Sequence, residues 1–136
     1  MVLTEHNPND GSLIYTTQLK SPPYFLAVDS CNDRVVISGK GQQVAIADSR
    51  GVTQSTIKPI INGQPVRSCR GVCCDRLGLY AAMSNAGSGH IHHYDHNGSF
   101  LACLAQDLHN PWGITFTVDE QLVVADFSSI KMYHKV

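Results

Sequence analysis

The sequence is short of charge, of long apolar runs and of segments that would hold a helix. Asp, Glu, Lys and Arg make up only 15% of its 136 residues and apolar residues 43%, which sets aside disordered tails and coiled coils. Ten Lys and Arg against eleven Asp and Glu leave a formal charge of −1. Bulk charge alone therefore does not draw the chain onto nucleic acid, and double-stranded DNA is not an expected partner. No apolar run approaches the roughly 18–20 residues of a membrane helix, so no membrane partner is expected either. The opening residues Met1-Val2-Leu3-Thr4-Glu5-His6 carry neither the basic segment nor the apolar stretch of a secretory leader, and a cytoplasmic protein is the expectation.

Cysteine and the known catalytic signatures are equally uninformative. The five cysteines, Cys31, Cys69, Cys73, Cys74 and Cys103, are odd in number and include an adjacent pair, a poor disulfide framework. No C-x-x-C spacing offers a zinc site, so they are expected as reduced thiols, mostly packed as small apolar groups. There is no G-x-S-x-G elbow, P-loop or G-x-G-x-x-G ahead of a helix. Gly39-Lys40-Gly41 and Asn85-Ala86-Gly87-Ser88-Gly89 join strands, with no helix dipole behind them to hold a phosphate. Asp119-Glu120 falls in a turn, where solvation is its expected role. No catalytic residue, no cofactor and no metal are expected.

What the sequence does contain is strands and turns. Apolar clusters rich in Val, Ile, Tyr and Thr recur at residues 13–19, 25–28, 34–38, 44–47, 72–74, 79–83, 90–94, 100–104, 114–117, 122–125 and 130–134. Asn, Asp, Gly, Pro and Ser separate them, the pattern of short antiparallel strands joined by tight turns. Asn9-Asp10-Gly11-Ser12, Asp48-Ser49-Arg50-Gly51 and His96-Asn97-Gly98-Ser99 each read as a hairpin turn with Gly where φ must be positive. The fold class is all-β.

The spacing of these signals carries the architecture. Gly11, Gly51 and Gly98 are 40 and 47 residues apart, and Phe25, Val72 and Ile114, each opening a similar strand, are 47 and 42 apart. Four short strands per period of about 40–47 residues is the signature of β-propeller blades, which stack so that each buries its faces on its neighbours.

Asn110-Pro111-Trp112-Gly113-Ile114, followed by Leu122-Val123-Val124-Ala125-Asp126, resembles the NHL repeat, in which an N-P-x-G-I strand precedes a V-x-V-A-D strand. The repeat's third strand and Asp-x-x-Gly hairpin are matched by His93-Tyr94-Asp95-His96-Asn97-Gly98-Ser99-Phe100-Leu101. The segments around Phe25 and Val72 share the pattern without the Gly-Ile and Ala-Asp ends. Among NHL proteins the chain is most similar to the propellers that end TRIM-NHL proteins. No RING, B-box or coiled coil accompanies it, so the resemblance does not imply ubiquitin-ligase activity.

Labelling strands a to d within a blade, residues 1–20 supply closing strands, a c at 2–6 and a d at 12–19. Residues 21–63 and 64–108 form two blades, and 109–136 an incomplete blade with a, b and c but no d. Propellers close with four to eight blades. Three blades would leave two bare sheet faces and open edges. The surplus d and the missing d are complementary, so two copies are expected to close a six-bladed ring as an isologous dimer; an excised piece of a longer propeller is the alternative.

The same labels sort polar residues onto two surfaces. The d–a and b–c loops, on the surface called upper here, carry Lys20, Lys40, Lys58, Arg67, Arg70 and Lys131 against Asp107 and Asp126. The lower surface carries Asp10, Asp29, Asp33, Asp48, Asp75, Asp95, Asp119 and Glu120 against Arg34, Arg50, Arg76 and Lys135. Tyr24, Trp112 and Phe127 join the upper set. Aromatics among Lys and Arg suit single-stranded RNA, whose bases stack while phosphates meet cations, and suit an acidic peptide equally. The expected partner-binding residues are therefore Tyr24, Lys40, Arg67, Arg70, Trp112 and Phe127, with packing as the competing role for Trp112.

His90-Ile91-His92-His93-Tyr94-Asp95-His96 is the most conspicuous cluster. On a strand His90 and His92 share one side and His93 and Asp95 the other, so at most two ligands converge locally. NHL-type propellers include a metal-dependent lyase whose ligands project into the central channel. These histidines sit on a third strand, away from it, and exposed strand histidines are expected. The expected function is a binding module for a protein or single-stranded RNA, without catalysis. The alternative is a metal-dependent lyase- or lactonase-like propeller enzyme, which would need inward His, Asp or Glu near the tops of the a strands. Those strands offer only Asp29 and Asp75, at their lower ends.

Overall fold

Apolar side chains alternating with polar ones, broken by Asp- and Gly-bearing turns, produce fifteen strands and no helix among the described residues (2–19, 22–86 and 88–134) of the computed structural model. In chain order these are β1 (Val2–His6), β2 (Leu13–Gln18), β3 (Pro23–Asp29), β4 (Arg34–Gly39), β5 (Val44–Asp48), β6 (Thr53–Ile57), β7 (Ile60–Ile61) and β8 (Gln64–Pro65). There follow β9 (Ser68–Asp75), β10 (Gly78–Asn85), β11 (Ser88–Tyr94), β12 (Phe100–Leu108), β13 (Gly113–Phe116), β14 (Leu122–Ala125) and β15 (Ile130–Tyr133). They pair in chain order into antiparallel sheets: two of four strands, β3–β6 and β9–β12, one of three, β13–β15, and the hairpins β1–β2 and β7–β8.

The turns show why the strands reverse where they do. Gly51 and Gly98 have φ of 83° and 93°, and their amides donate to the carbonyls of Asp48 and Asp95. The same two aspartates accept backbone amides through Oδ1, Asp48 from Arg50 and Val52 and Asp95 from Asn97 and Ser99. Each Asp-x-x-Gly run is thus closed by its own carboxylate.

The sheets stack face to face. One apolar cluster, including Val36, Val44, Ile46 and Ile57 with Leu79, Ala81, Met83 and Tyr94, fills the space between the β3–β6 and β9–β12 sheets. A second, Ala82, Ile91 and Leu108 with Leu122 and Val124, joins β9–β12 to β13–β15. The leading strand β9 contacts both other leading strands, β3 and β13. Sequential four-stranded meanders stacked leading strand to leading strand are the architecture of propeller blades. Adjacent residues of a strand point to opposite faces, so Cys74 packs into the first cluster and Cys73 into the second. Burial pushes the Cys74 thiol up to about 12 and raises Cys73 further above the ordinary range.

The hairpin β1–β2 lies against the β5–β6 turn. The Tyr15 hydroxyl donates to the Ser49 carbonyl at 2.7 Å, the Thr17 hydroxyl to that of Arg50, and Leu3 packs on Gly51. Beside it the outer side of β3 is bare: Tyr24, Leu26 and Val28 are 64%, 60% and 69% exposed. At the other end Ile130 and Met132 of β15 are exposed as well. The described sheets do not close on themselves. The hairpin β7–β8 has no counterpart among the expected strands; a two-residue pairing is too short for period-2 alternation to show. No helix of the structure is long and apolar enough to cross a membrane.

Candidate binding surface at the upper blade loops

Strand directions put residues 40–43, 58–67, 109–112 and 126–129 at the upper ends of the sheets. The centre of this surface is built by an irregularity in β9. Val72 pairs with Ala81 and Cys69 with Met83, so Arg70 and Gly71 together oppose only Ala82. This is a β-bulge, which re-aims a side chain out of strict alternation. The Arg70 guanidinium stands 3.8 Å over the Trp112 ring, while the Arg70 carbonyl accepts the hydroxyl of buried Ser38 from β4.

Gly71 makes the approach possible. Its amide donates to the Trp112 carbonyl at 2.7 Å, and a Cβ there would overlap that same oxygen. Phe25 of β3 completes the group, its ring centroid 6.3 Å from that of Trp112. Trp112 keeps 47% of its surface exposed. Nη1 of Arg70 is buried with no hydrogen-bond partner among the described residues.

The other expected residues do not all converge here. Tyr24 is the clear departure: Phe25 faces Trp112, whereas Tyr24, the extra residue between the Pro23–Gly39 and Phe25–Ser38 pairs, is exposed like Leu26 and Val28. Phe127, 71% exposed, pairs instead with His109 at 5.2 Å, and its amide donates to the His109 carbonyl. Beside that pair is a cleft lined by Ser84, Asn85, Ser88, Asp107 and Asn110. Lys40 and Arg67 are exposed on upper loops, anchored through their backbones, the Lys40 amide to the Pro22 carbonyl and the Arg67 amide to that of Ser84. Lys131 is not a free cation, because its Nζ lies 2.6 Å from the Asp126 carboxylate; that bond, first among several, holds Asp126 well below the carboxylate range. Lys20 and Lys135 lie outside the described residues. Phe25 and His109 were missed by sequence reasoning. The strand-parity rule would have selected Phe25 over Tyr24 had the inward side of β3 been known.

The histidine cluster also departs from expectation. His92 is buried at 4% exposure, and His90 and His93 are half-buried. His93 stacks on Tyr80 at 4.3 Å. Burial, with His90 beside it, lowers His92 to about 4. His96 reaches the lower seam between the first two sheets, its Nδ1 3.0 Å from the buried Asp29 carboxylate and its Nε2 3.1 Å from the Arg76 carbonyl; Arg34 lies 3.7 Å from the same carboxylate.

No family model matches the sequence, and no curated protein does. Solved structures do. A protein of unknown function from Bacteroides caccae superposes with a TM-score of 0.59 at 9% identity, over 99% of this chain and 68% of that one. A protein from Lactobacillus plantarum gives 0.57 at 16% identity, over 96% of this chain and 43% of that one. The WD40 β-propeller domain of Doa1 gives 0.43 at 12% identity, over 90% of this chain and 54% of that one. The chain thus spans about half the length of the latter two. At these identities the likeness is one of fold.

Proposed function

We propose that the chain is a non-catalytic binding module of NHL-like propeller blades, which presents the Arg70–Trp112 surface to a protein or single-stranded RNA partner. The observation that carries this reading is the half-exposed indole capped by a guanidinium. A guanidinium plane on an aromatic ring is a surface on which bases stack and to which phosphates or carboxylates bond. The leading strands bring no cluster of His and carboxylate side chains to the upper ends, which weighs against the lyase- or lactonase-like alternative. The N-P-W-G-I and V-V-A-D segments support the NHL-like reading.

The same proposal assigns the bare side of β3 and the edge of β15 to a second copy, bringing the blades to six. Support comes from the paired β1–β2 hairpin, seated where the outer strands of a preceding blade belong. Light scattering tests this part: a species near twice 14.8 kDa supports it and a monodisperse monomer overturns it. Titration against a short RNA pool and an acidic peptide library at low salt tests the first part. Binding lost in Arg70→Ala supports it, and no binding of either class overturns it.

A further inference from the structure

His90, His92 and Tyr94 share one side of β11 because side chains repeat every second residue. The antiparallel register sets Cys103 of β12 opposite His92. Nδ1 of His90 lies 3.2 Å from Nε2 of His92 and 3.8 Å from the Cys103 sulfur, and the three donor atoms all fall within 4.8 Å of one another. Zinc bonds of about 2.0–2.1 Å to nitrogen and about 2.3 Å to sulfur, at tetrahedral angles, require N–N and N–S separations of roughly 3.3 and 3.6 Å. The two strands therefore already hold His90 at near-coordination spacing from both His92 and Cys103, with all three donors within 4.8 Å.

One further feature suits an ion. Nδ1 of His92, the nitrogen turned away from the other donors, lies 3.2 Å from the Tyr94 hydroxyl, the outer contact that fixes the ring of a metal-binding histidine. The other trio within similar reach, Asp29, Cys31 and His96, is already joined to Arg34 as an ion-pair network.

We propose that His90, His92 and Cys103 hold one divalent ion of the zinc class. Two imidazoles and a thiolate select a borderline-soft metal over magnesium or calcium, which take oxygen ligands. On uptake both nitrogens donate lone pairs, the sulfur–metal bond forms as the Cys103 thiol releases its proton to solvent, and nothing is oxidised or reduced. Sequence reasoning found at most two ligands converging locally and expected no metal; the neighbouring strand of the same blade offers the third.

The chain is stripped with a chelator and titrated with Co²⁺, then with Zn²⁺. One equivalent of Co²⁺ is expected to bind with a thiolate-to-cobalt charge-transfer band and the intense visible absorption of tetrahedral coordination, both removed by Zn²⁺. Cys103→Ser, at an exposed position, loses the charge-transfer band. Tyr94→Phe keeps the band but weakens affinity by about 10–100-fold. Absence of stoichiometric uptake by the wild-type chain, or a band undiminished in Cys103→Ser, overturns the proposal.

Discussion

The Arg70 guanidinium lies 3.8 Å above the Trp112 indole, which joins into one unit a residue of β9 and one from the loop that enters β13. Taken singly, an arginine meets a phosphate and a tryptophan meets a base. Stacked, they divide the work differently: the cation covers one ring face, and a partner meets the outer guanidinium plane and the exposed indole edge. Such a pair contributes about 0.5–1 kcal/mol at an exposed site.

Affinity for a short RNA or acidic peptide is expected to fall steeply with salt, because counterion release and screening dominate such contacts. Arg70→Ala weakens binding and lowers the salt slope by about one for an RNA ligand. Trp112→Ala costs about 1–3 kcal/mol of binding if a base stacks there, and also lowers the melting temperature, because the covered half of the ring packs on Phe25 and Arg70. Anisotropy titrations at several salt concentrations, with thermal melts, separate the two contributions.

Gly71→Ala is expected to destabilise the chain by about 1–3 kcal/mol, the usual cost of forcing atoms into a packed site. The new methyl would overlap the Trp112 carbonyl, so the leading strands β9 and β13 must part. Urea denaturation measures the loss; an unchanged midpoint would show that the seam is looser than its geometry.

Ser38→Ala removes the hydroxyl that donates to the Arg70 carbonyl and is expected to cost about 1–3 kcal/mol by leaving a buried acceptor unpaired. Arg70→Ala retains that carbonyl and should not reproduce this loss. Comparing the two denaturation curves separates the support of the bulge from the side chain it carries.

His96 gives the fold a pH dependence of predictable sign. Its hydrogen bond to the Arg76 carbonyl, then its contacts with Asp29, raise it above the ordinary histidine range against opposing burial and Arg34. A base raised by folding binds its proton more tightly in the native state. Its stabilisation is therefore complete below the unfolded value of about 6.5 and is lost as pH rises through the higher folded value. Denaturation midpoints of the wild type should carry this falling contribution above about pH 6.5, and His96→Asn should flatten it. Identical slopes in the two proteins would remove His96 as the source.

The all-β class and most of the strands were legible because one-dimensional signals carry them: period-2 apolar runs, Asp-x-x-Gly turns, and a spacing that repeats; the two-residue β7–β8 pairing was not. Gly51 and Gly98 sit at positive φ as their turns require. The site was half legible. Strand labels put Arg70 and Trp112 on one surface, but their contact depends on the bulge opposite Ala82, which leaves no mark in residue types. Tyr24 and Phe25 are chemically interchangeable as aromatics, and only the side of β3 that faces the next sheet distinguishes them. The pairing of His92 with Cys103 is a matter of register between strands separated by a turn, invisible to any reading of β11 alone.

Cys73 and Cys74, neighbours on one strand with thiols in different seams, amount to two chemical clocks set at opposite walls of the middle sheet. Each is alkylated faster when its own wall is uncovered. Pulse labelling followed by mass measurement of the peptide that spans them would record separately how often the first and second seams open. The order in which the two masses appear would tell from which side this stack of sheets comes apart.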